Sequence, residues 1–351
     1  MKLLVVSLIL AATTCLTQEN GKPHHQQRFI MGTLCDITAL PIPGSPADAD
    51  RKQQNKTDAA IDAAFDQLHQ VDWMLSNWDE DSELMKMNRA AAMPGRKRPI
   101  VQVGNALFAR VQFALKMAEL TDGWFDPTVG PLVRFYRFLP REDAQPWSLT
   151  QVREHVGWKK VKLDSAGKTV QFAASQMEID MGGVAKGYAA ALAAKALREH
   201  GVTDGFINIG ESSMVAIGRP APGKSWIVEI YDPRDRKSTV AWTRLADGEA
   251  LATSGTYEKV KGEGEKRRSH IINPKTGRAL GGLHSVTVVM RDAETADAFT
   301  KPFFFIPAHD SSASKMLQSF PEASVMLISV DGDALKTEAL GGSPERFHRM
   351  K

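Results

Sequence analysis

The sequence predicts an α+β fold, in which mixed sheets pack against helices, and three observations lead to that class. Apolar residues recur at helical spacing over residues 57–75, which is typical of an amphipathic helix. Short runs rich in β-branched residues, among them 226–230 and 285–290, predict strands. These segments do not alternate in regular βαβ order, which favours an α+β architecture over a parallel α/β one.

The composition is typical of a globular protein and gives no support to nucleic-acid binding. Of 351 residues, 43% are apolar and 24% are charged, and the formal net charge is +3. That charge is small, and no basic stripe with interleaved aromatic residues is present in the sequence. The two cysteines, Cys15 and Cys35, are too few for a disulfide scaffold. We expect Cys35 to be a small buried apolar residue.

The N-terminus has the features of an export signal. Lys2 supplies a positive charge, and residues 3–12 form an apolar core that is too short to span a bilayer as a helix. We therefore predict a signal peptide over residues 1–17, a flexible polar lead over 18–28 and one folded domain over 29–345. Cys15 is a candidate for a lipid anchor, although the preceding Ala-Thr-Thr fits a lipoprotein cleavage site poorly. The expected location is periplasmic or associated with the inner membrane.

Within the folded domain, the patterns predict a series of helices, strands and loops. The helices are predicted at residues 57–75, 105–120 and 185–200, with a further helix that begins near residue 296. The strands are predicted at residues 29–37, 169–172, 205–210, 226–230, 239–245 and 285–290, followed by a closing hairpin of 323–330 and 334–339. Residues 41–56 read as a loop, and two prolines and a glycine exclude a regular helix over 124–132.

Residues 178–188 carry the strongest local signal for a binding site. They place Asp180, two glycines and Lys186 at the start of an alanine-rich predicted helix. The first turn of a helix has free N–H groups and a partial positive charge, which suit an anion such as phosphate. Gly182 and Gly183 carry no side chain that would keep a ligand from the backbone. A glycine turn before an ordinary helix explains the same pattern, and the spacing matches neither the P-loop nor the dinucleotide fingerprint.

Six segments, in their order along the chain, together resemble the motifs of the ApbE family, the FAD:protein FMN transferases. A partial seventh is Ala-Asp-Ala at 296–298, and the resemblance extends over residues 29–340. The six segments are Met-Gly-Thr at 31–33, Ser-Asn-Trp at 76–78 with Asp-Ser-Glu at 81–83 and Asn88, Gly-Trp-Phe-Asp-Pro-Thr-Val-Gly-Pro-Leu at 123–132, Asp-Met-Gly-Gly-Val-Ala-Lys-Gly-Tyr at 180–188, Thr-Ser-Gly-Thr-Tyr-Glu at 253–258 and His-Ile-Ile-Asn-Pro-Lys-Thr-Gly at 270–277.

The resemblance implies a T-fold-like transferase that acts outside the cytoplasm and is often lipid-anchored. Such a protein binds FAD with a divalent metal, usually Mg²⁺, at the diphosphate, releases AMP and places FMN on a Ser or Thr hydroxyl of a partner. The implied partners are acceptor subunits of flavinylated redox complexes, such as sodium-pumping quinone reductases or Rnf-like complexes, which suggests proximity to a membrane. Some members hydrolyse FAD to FMN and AMP instead.

The resemblance also implies a role for particular residues. Lys186, His270 and Asp297 are the catalytic candidates: Lys186 would neutralise the diphosphate, and the other two could accept the proton of the acceptor hydroxyl. A lone histidine is also often structural, and Trp78 could be either a wall for the flat flavin ring or a surface aromatic. The implied FAD contacts are Met31, Trp78, Trp124, Phe125, Asp126, Asp180, Lys186 and Ile272, and the implied metal ligands are the Gly183 carbonyl and the Asp297 carboxylate.

One position departs from the family pattern. The family's metal helix usually carries a metal-binding Thr four residues after the Asp, whereas this chain has Lys301 at that position, followed by Pro302. Thr300 lies one residue early, about 100° around a helix. In one hypothesis, Thr300 or water replaces the missing ligand. In a second, the Lys301 ammonium occupies the cation's position, and in a third Lys301 points to solvent.

Functions other than FMN transfer also stay open. With a weakened metal site, the chain would be an FAD-binding protein or an FAD pyrophosphatase rather than an efficient transferase. A reading without flavin is an unrelated exported α+β binding protein.

Overall fold

The structure is a computed structural model that describes residues 22–42, 49–93, 98–140 and 147–350. The signal peptide predicted over residues 1–17 and the anchor candidate Cys15 lie outside these residues. The described strands are β1 (His24–Ile30), β2 (Thr33–Ala39), β3 (Ile100–Gln102), β4 (Val161–Asp164), β5 (Thr169–Phe172), β6 (Gly205–Ile209), β7 (Ser213–Ile217), β8 (Trp226–Asp232), β9 (Asp235–Leu245), β10 (Ala250–Gly255), β11 (Val260–Lys261), β12 (Arg268–Ser269), β13 (Leu283–Met290), β14 (Ser324–Asp331), β15 (Ala334–Gly341) and β16 (His348–Arg349).

Helices of very different lengths lie between these strands. The described α-helices are α1 (Ala49–Leu75), α2 (Glu83–Ala92), α3 (Asn105–Leu120), α4 (Gly130–Phe135), α5 (Leu149–Arg153), α6 (Ala185–Glu199), α7 (Ala293–Phe299) and α8 (Ser311–Ser319). None of the helices among the described residues combines the length and the apolarity that a membrane-spanning helix needs.

An eight-stranded sheet forms the centre of the described part of the chain. Its strand order is β1-β2-β6-β7-β10-β13-β14-β15, and every neighbouring pair is antiparallel. Antiparallel pairing explains why consecutive strands such as β6 and β7 are joined by short turns, since no crossover helix is needed. The α+β class is confirmed, with antiparallel pairing within the sheets.

The central strands of this sheet, such as β7, β10 and β13, bury residues on both faces, whereas the edge strands β1 and β15 are partly exposed. On one face, Ile37 and Ile207 belong to the core that α1 and α6 cover. On the other face, Leu251 and Val289 pack with residues of a three-stranded sheet, β16-β9-β8. Cys35 lies in the first of these cores, as expected, and burial raises the pKa of its thiol to about 11.

The chain's two ends differ from the sequence prediction. Residues 24–28 were assigned to the flexible lead, but they form most of β1, which pairs with β2 through the turn at Met31 and Gly32. The predicted single strand over 29–37 is therefore the middle of a hairpin. The predicted domain end at residue 345 is also too early, because β16 pairs with β9 after that position.

Internal segments also differ from the sequence prediction. The loop predicted over 41–56 is wrong from residue 49 onwards, where α1 begins. The segment predicted to be irregular over 124–132 contains a 3₁₀ turn, Pro127–Val129, and then enters α4, because proline is tolerated in the first turn of a helix. Ile272, an implied FAD contact, lies outside the named strands and forms an isolated β-bridge with Ala279.

Candidate functional site

A cleft with a volume of about 200 Å³ lies where the N-terminus of α6, the end of β10 and α7 meet. Met31 and Thr300 are not among the described residues that line it. The other predicted site residues all line the cleft: Trp78, Trp124, Phe125, Asp126, Asp180, Gly183, Lys186, His270, Ile272, Asp297 and Lys301. Segments that are far apart in the sequence are thus brought to one place, as the motif order predicted.

Met31 lies in the turn between β1 and β2 rather than at the cleft. Its φ of +56° is unusual for a residue with a side chain, and its amide donates a hydrogen bond to Oδ2 of Asp72 at 3.1 Å. Its side chain packs against the core. The structure therefore gives Met31 a clear role in closing the hairpin on α1.

The glycine turn before α6 uses several of its own amides. The amide of Gly182 donates to Oδ1 of Asp180 at 2.6 Å, and those of Val184 and Ala185 donate to the carbonyl of Met181. Hydrogen bonding within the turn therefore occupies N–H groups that were expected to face an anion. Fewer backbone donors face the cleft than predicted, so side-chain cations have to carry more of the attraction for a diphosphate.

Asp180 holds this turn against the segment that precedes α2. Its Oδ1 also accepts a hydrogen bond from Nδ2 of Asn77 at 2.7 Å. Burial raises the pKa of the Asp180 carboxyl above its ordinary value, while the bonds from Gly182 and Asn77 act in the opposite direction. The Asp180 side chain thus connects the 76–78 motif to the glycine turn, and both segments line the cleft.

Asp126 anchors the segment between α3 and α4. Its Oδ1 accepts from the amide and the hydroxyl of Thr128, at 2.8 and 2.6 Å, and its Oδ2 accepts from the Trp158 amide at 3.0 Å. Burial raises the pKa of its carboxyl, and these hydrogen bonds partly offset that rise. Asp126 is buried and caps the 3₁₀ turn, which presents Trp124 and Phe125 to the cleft.

Aromatic rings flank the cleft. The ring of Trp124 stacks on that of Phe305, with centroids 6.3 Å apart, and Nζ of Lys275 lies 4.2 Å from the Trp124 ring centroid. Trp78 is 60% exposed, and Nζ of Lys259 lies 5.8 Å from its ring centroid. Large flat rings that line a cleft suit stacking with a planar ligand.

His270 is held by its backbone, and its ring is buried. Its amide donates to the carbonyl of Lys259 at 3.0 Å, and Nδ1 has no hydrogen-bond partner within the described part of the chain. Burial, together with the charges of Lys259, Lys301 and Lys186, lowers the pKa of His270 to about 3. The imidazole is therefore neutral near pH 7, and one of its nitrogens is unpaired beside the cleft.

Lys186 and Asp297 both line the cleft where α6 packs against α7. Nζ of Lys186 donates to Oγ of Ser212, and the amide of Gly187 donates to Oδ2 of Asp297 at 3.2 Å. Gly187 allows this approach, because a β-carbon there would lie 2.1 Å from the carbonyl oxygen of Ala293. The close packing of the two helices fixes the carboxylate at the cleft.

Lys301 turns into the cleft and bonds to Asp297. Its Nζ donates to Oδ1 of Asp297 at 2.7 Å, to the Asp297 carbonyl at 2.8 Å and to Oγ of Ser254 at 3.0 Å. The hypothesis that Lys301 points to solvent is wrong. Thr300 is buried beneath it, and its hydroxyl hydrogen-bonds to the Asp297 carbonyl and to Oγ of Ser254, each at 2.8 Å.

The end of α7 explains this arrangement. Lys301 donates its amide to the carbonyl of Ala298, three residues back, and Pro302 starts a 3₁₀ turn. In such a tightened turn residues three apart align, so that Thr300 lies over Asp297. Thr300 nevertheless reaches the backbone carbonyl of Asp297 rather than its carboxylate.

Several cleft residues were not assigned a role from the sequence, and four of them contribute polar or aromatic groups to the contacts described above. Asn77 and Ser254 lie inside motifs, so the motifs themselves were the signal that could have identified them. Lys259 directly follows a motif, and Phe305 has no sequence signal that distinguishes it from a core residue. A wider surface depression of about 430 Å³, lined by Leu115, Trp158 and others, contains none of the predicted site residues.

The fold and the cleft define an α+β protein with a lysine-rich cleft between aromatic walls at a helix N-terminus. Residues 31–327 match the ApbE family. The FAD:protein FMN transferase of Klebsiella pneumoniae (strain 342) is 29% identical over 314 residues, which cover 88% of this chain and 84% of that protein. That of Treponema pallidum (strain Nichols) is 26% identical over 347 residues, with 93% and 90% covered.

Solved structures show the same relationship. The ApbE protein of Thermotoga maritima matches with a TM-score of 0.73 and 27% identity, over 90% of this chain and 96% of that one. The flavin transferase ApbE of Vibrio cholerae matches with a TM-score of 0.72 and 26% identity, over 92% and 98%. The chain belongs to the ApbE family.

Proposed function

We propose that this protein is a transferase that moves FMN from FAD onto a Ser or Thr hydroxyl of a partner protein and releases AMP. The observation that carries the proposal is the convergence of the family's motif residues on one cleft, with Lys186, His270 and Asp297 beside the aromatic rings. The relatives named FAD:protein FMN transferase favour transfer over the alternative of a protein that only binds or hydrolyses FAD.

The cleft offers separate surfaces for the two chemical parts of FAD. The isoalloxazine ring would stack against Trp78 or Trp124, whose side chains line the cleft. The diphosphate carries two negative charges and would lie between Lys186 and Lys301, since salt-bridge-like contacts to phosphate are strong when water is excluded. This placement leaves the phosphorus atoms near Asp297 and His270.

In the proposed reaction, the oxygen of the acceptor hydroxyl attacks the phosphorus on the riboflavin side of the diphosphate. A new P–O bond forms to the acceptor, the bond to the bridging oxygen breaks, and its electron pair leaves with AMP. The hydroxyl proton goes to a base, and the neutral imidazole of His270, which lines the cleft, is the proposed acceptor. Bound diphosphate offsets the lysine charges around His270, so we expect a more basic imidazole in the complex.

Magnesium, expected from the resemblance, stays a prediction. A bound Mg²⁺ would supply positive charge to the diphosphate oxygens, and it prefers six oxygen ligands at about 2.0–2.1 Å. The residues present do not fit such an ion at Asp297: its carboxylate bonds to Lys301 and Gly187, and the Thr300 hydroxyl is turned to the backbone. Among the described residues, no group of three or more His, Cys, Asp or Glu side chains is placed to hold a metal ion.

We also propose the setting in which transfer takes place. The export signal predicted over residues 1–17 supports a periplasmic or inner-membrane-associated protein, with Cys15 as the less well supported anchor. Acceptor subunits of quinone reductases or Rnf-like complexes would then be the partners. A fusion of residues 1–21 to a reporter that is active only after export, with Lys2 and the apolar core intact or replaced, tests the location.

The function is tested by incubating the purified chain with FAD and a purified acceptor subunit of a sodium-pumping quinone reductase, once with MgCl₂ and once with EDTA. AMP release together with flavin fluorescence that stays on the denatured acceptor supports transfer. AMP with free FMN instead indicates a pyrophosphatase, and retained FAD without AMP indicates a binding protein. A chain that binds no flavin under either condition would remove the flavin reading altogether.

A further inference from the structure

The ammonium of Lys301 occupies a position at which all of its hydrogen-bond donors are used. An ammonium has three N–H donors, and this one meets Oδ1 and the carbonyl of Asp297 and the hydroxyl of Ser254. Its side chain is 18% exposed, so the charge lies at the cleft and is largely shielded from bulk water. Three defined contacts make this a positioned cation rather than a solvated surface lysine.

The position of Lys301 coincides with the place where the resemblance implies a metal. The two implied ligands are the Gly183 carbonyl and the Asp297 carboxylate. A β-carbon added at Gly183 would lie 3.3 Å from Cε of Lys301, and Nζ of the same lysine lies 2.7 Å from Oδ1 of Asp297. The lysine side chain therefore passes close to Gly183 and ends on the carboxylate of Asp297.

The surrounding groups leave no complete set of oxygen ligands for a divalent ion beside this ammonium. The other carboxylate oxygen of Asp297 accepts from the Gly187 amide, and the hydroxyls of Thr300 and Ser254 bond to each other. A divalent cation on Asp297 would also lie within a few ångströms of Nζ of Lys301, where two positive charges repel in a partly buried site. The disagreement with the family's metal pattern is thus chemical as well as positional.

We propose that the Lys301 ammonium is a built-in cation that neutralises the FAD diphosphate in place of a divalent metal, so that FAD binding and FMN transfer require no metal ion. The inference rests on the proposed function and specifies how its cleft handles charge. Ser254 is the neutral member of the three contacts, and its hydroxyl keeps Thr300 as a partner. A phosphate oxygen can therefore replace Ser254 at Nζ without leaving a buried group unpaired.

In this arrangement Lys301 forms and breaks no covalent bond during transfer. It stays protonated and attracts the charge that builds up on the phosphate oxygens as the bond to AMP breaks. Lys186 and Lys259 also line the cleft, and the Asp297 carboxylate offsets one of the three lysine charges, so these four side chains carry a net charge of +2. Asp297 then acts as a positioning residue, because its carboxylate and carbonyl aim the ammonium.

The primary test measures FAD affinity of the full chain by flavin fluorescence after metal has been stripped with EDTA, and again with excess MgCl₂. For the unmodified protein we expect dissociation constants that agree within about twofold between the two conditions. A dissociation constant that falls about tenfold or more on adding Mg²⁺ would overturn the proposal, since tenfold corresponds to one strong charged contact.

Two substitutions at Lys301 separate charge from shape. Lys301→Met keeps most of the side-chain length and removes the charge, and we expect FAD affinity in EDTA to fall by about tenfold or more. Lys301→Thr restores the family residue, and we expect Mn²⁺, titrated alone and followed by electron paramagnetic resonance, to bind this variant but not the unmodified chain. Either of two results would refute the inference. In the first, Lys301→Met binds FAD in EDTA as tightly as the unmodified chain. In the second, the unmodified chain binds Mn²⁺, and Asp297→Asn abolishes that binding.

A matched control and an activity readout keep the two proposals distinguishable. Lys315→Met removes the same charge from an exposed position on α8, and we expect it to bind FAD like the unmodified protein. One possible result is that FAD binding depends on Lys301 but no AMP is released. This result would support Lys301 as the cation that binds FAD, and it would overturn both its role in transfer and the proposed function. Metal-free AMP release that survives Lys301→Met would uphold the function and overturn the inference.

Discussion

Substituting Gly187 by alanine tests whether the close contact of α6 and α7 is what places Asp297 in the cleft. A β-carbon at this position would meet the carbonyl oxygen of Ala293 at 2.1 Å and Cβ of Asp297 at 2.9 Å. Both are atoms of α7 that cannot rotate away, so the helices have to separate by roughly 1 Å to restore ordinary contact. The same movement lengthens the hydrogen bond from the Gly187 amide to Asp297.

The magnitude follows from two opposing effects. Overpacking of this kind costs up to about 3 kcal/mol, and alanine regains about 1 kcal/mol of helix propensity over glycine. We therefore expect Gly187→Ala to lower the free energy of unfolding by about 2 kcal/mol. Because α7 also carries Asp297 and leads into Lys301, we expect FAD affinity to fall by about tenfold.

Urea unfolding followed by circular dichroism gives the first quantity, and flavin fluorescence titration gives the second. Ala191→Ser, which adds one atom to a half-buried position of the same helix, serves as the matched control and costs only about 0.5 kcal/mol. If Gly187→Ala is as stable as this control and binds FAD like the unmodified chain, the contact between α6 and α7 does not place Asp297 in the cleft.

Three further substitutions probe the charge, the buried histidine and the anchor of the aromatic segment. Lys186→Met should weaken FAD binding by about tenfold or more in fluorescence titration while the melting temperature stays unchanged. The pKa of His270 is about 3 in the folded protein, so between about pH 6.5 and pH 3 only the unfolded chain binds a proton at this residue, and the free energy of unfolding decreases as the pH is lowered. In urea unfolding, His270→Gln should therefore remove about 2 kcal/mol of the stability that the unmodified protein loses between pH 7.5 and pH 5. Asp126→Ala leaves buried donors unpaired and should cost about 3 kcal/mol by the same measurement.

The parts of the fold that could be predicted are those in which apolar residues repeat with a clear period. The helix over 105–120 and the strand over 169–172 are confirmed with these bounds. The first strand, β1, was missed because His24 to Arg28 carry no apolar alternation. It is held at the sheet edge by pairing with β2, and such tertiary support is not visible in the local pattern.

The same limit applies to the cleft. Order along the chain was enough to predict that Asp180, Lys186 and Asp297 share one site. The sequence did not predict that Lys301 would bond to Asp297, because three geometries were open at that position. The decisive partner is Ser254, which approaches from β10 and is 47 residues away in the chain. Contacts between distant segments depend on how whole helices and strands pack, and a short sequence motif does not determine that packing.

The hydrogen bonds around the cleft join segments that are far apart, and this affects how the protein folds. Asn77 and Asp180 are separated by 103 residues, and Gly187 and Asp297 by 110. No short fragment can contain such a site, so binding competence arises only when nearly the entire chain has reached its native arrangement. By thermodynamic linkage, bound ligand then protects all of the elements together, and saturating FAD at about 100 times its dissociation constant should add about 2.7 kcal/mol to global stability.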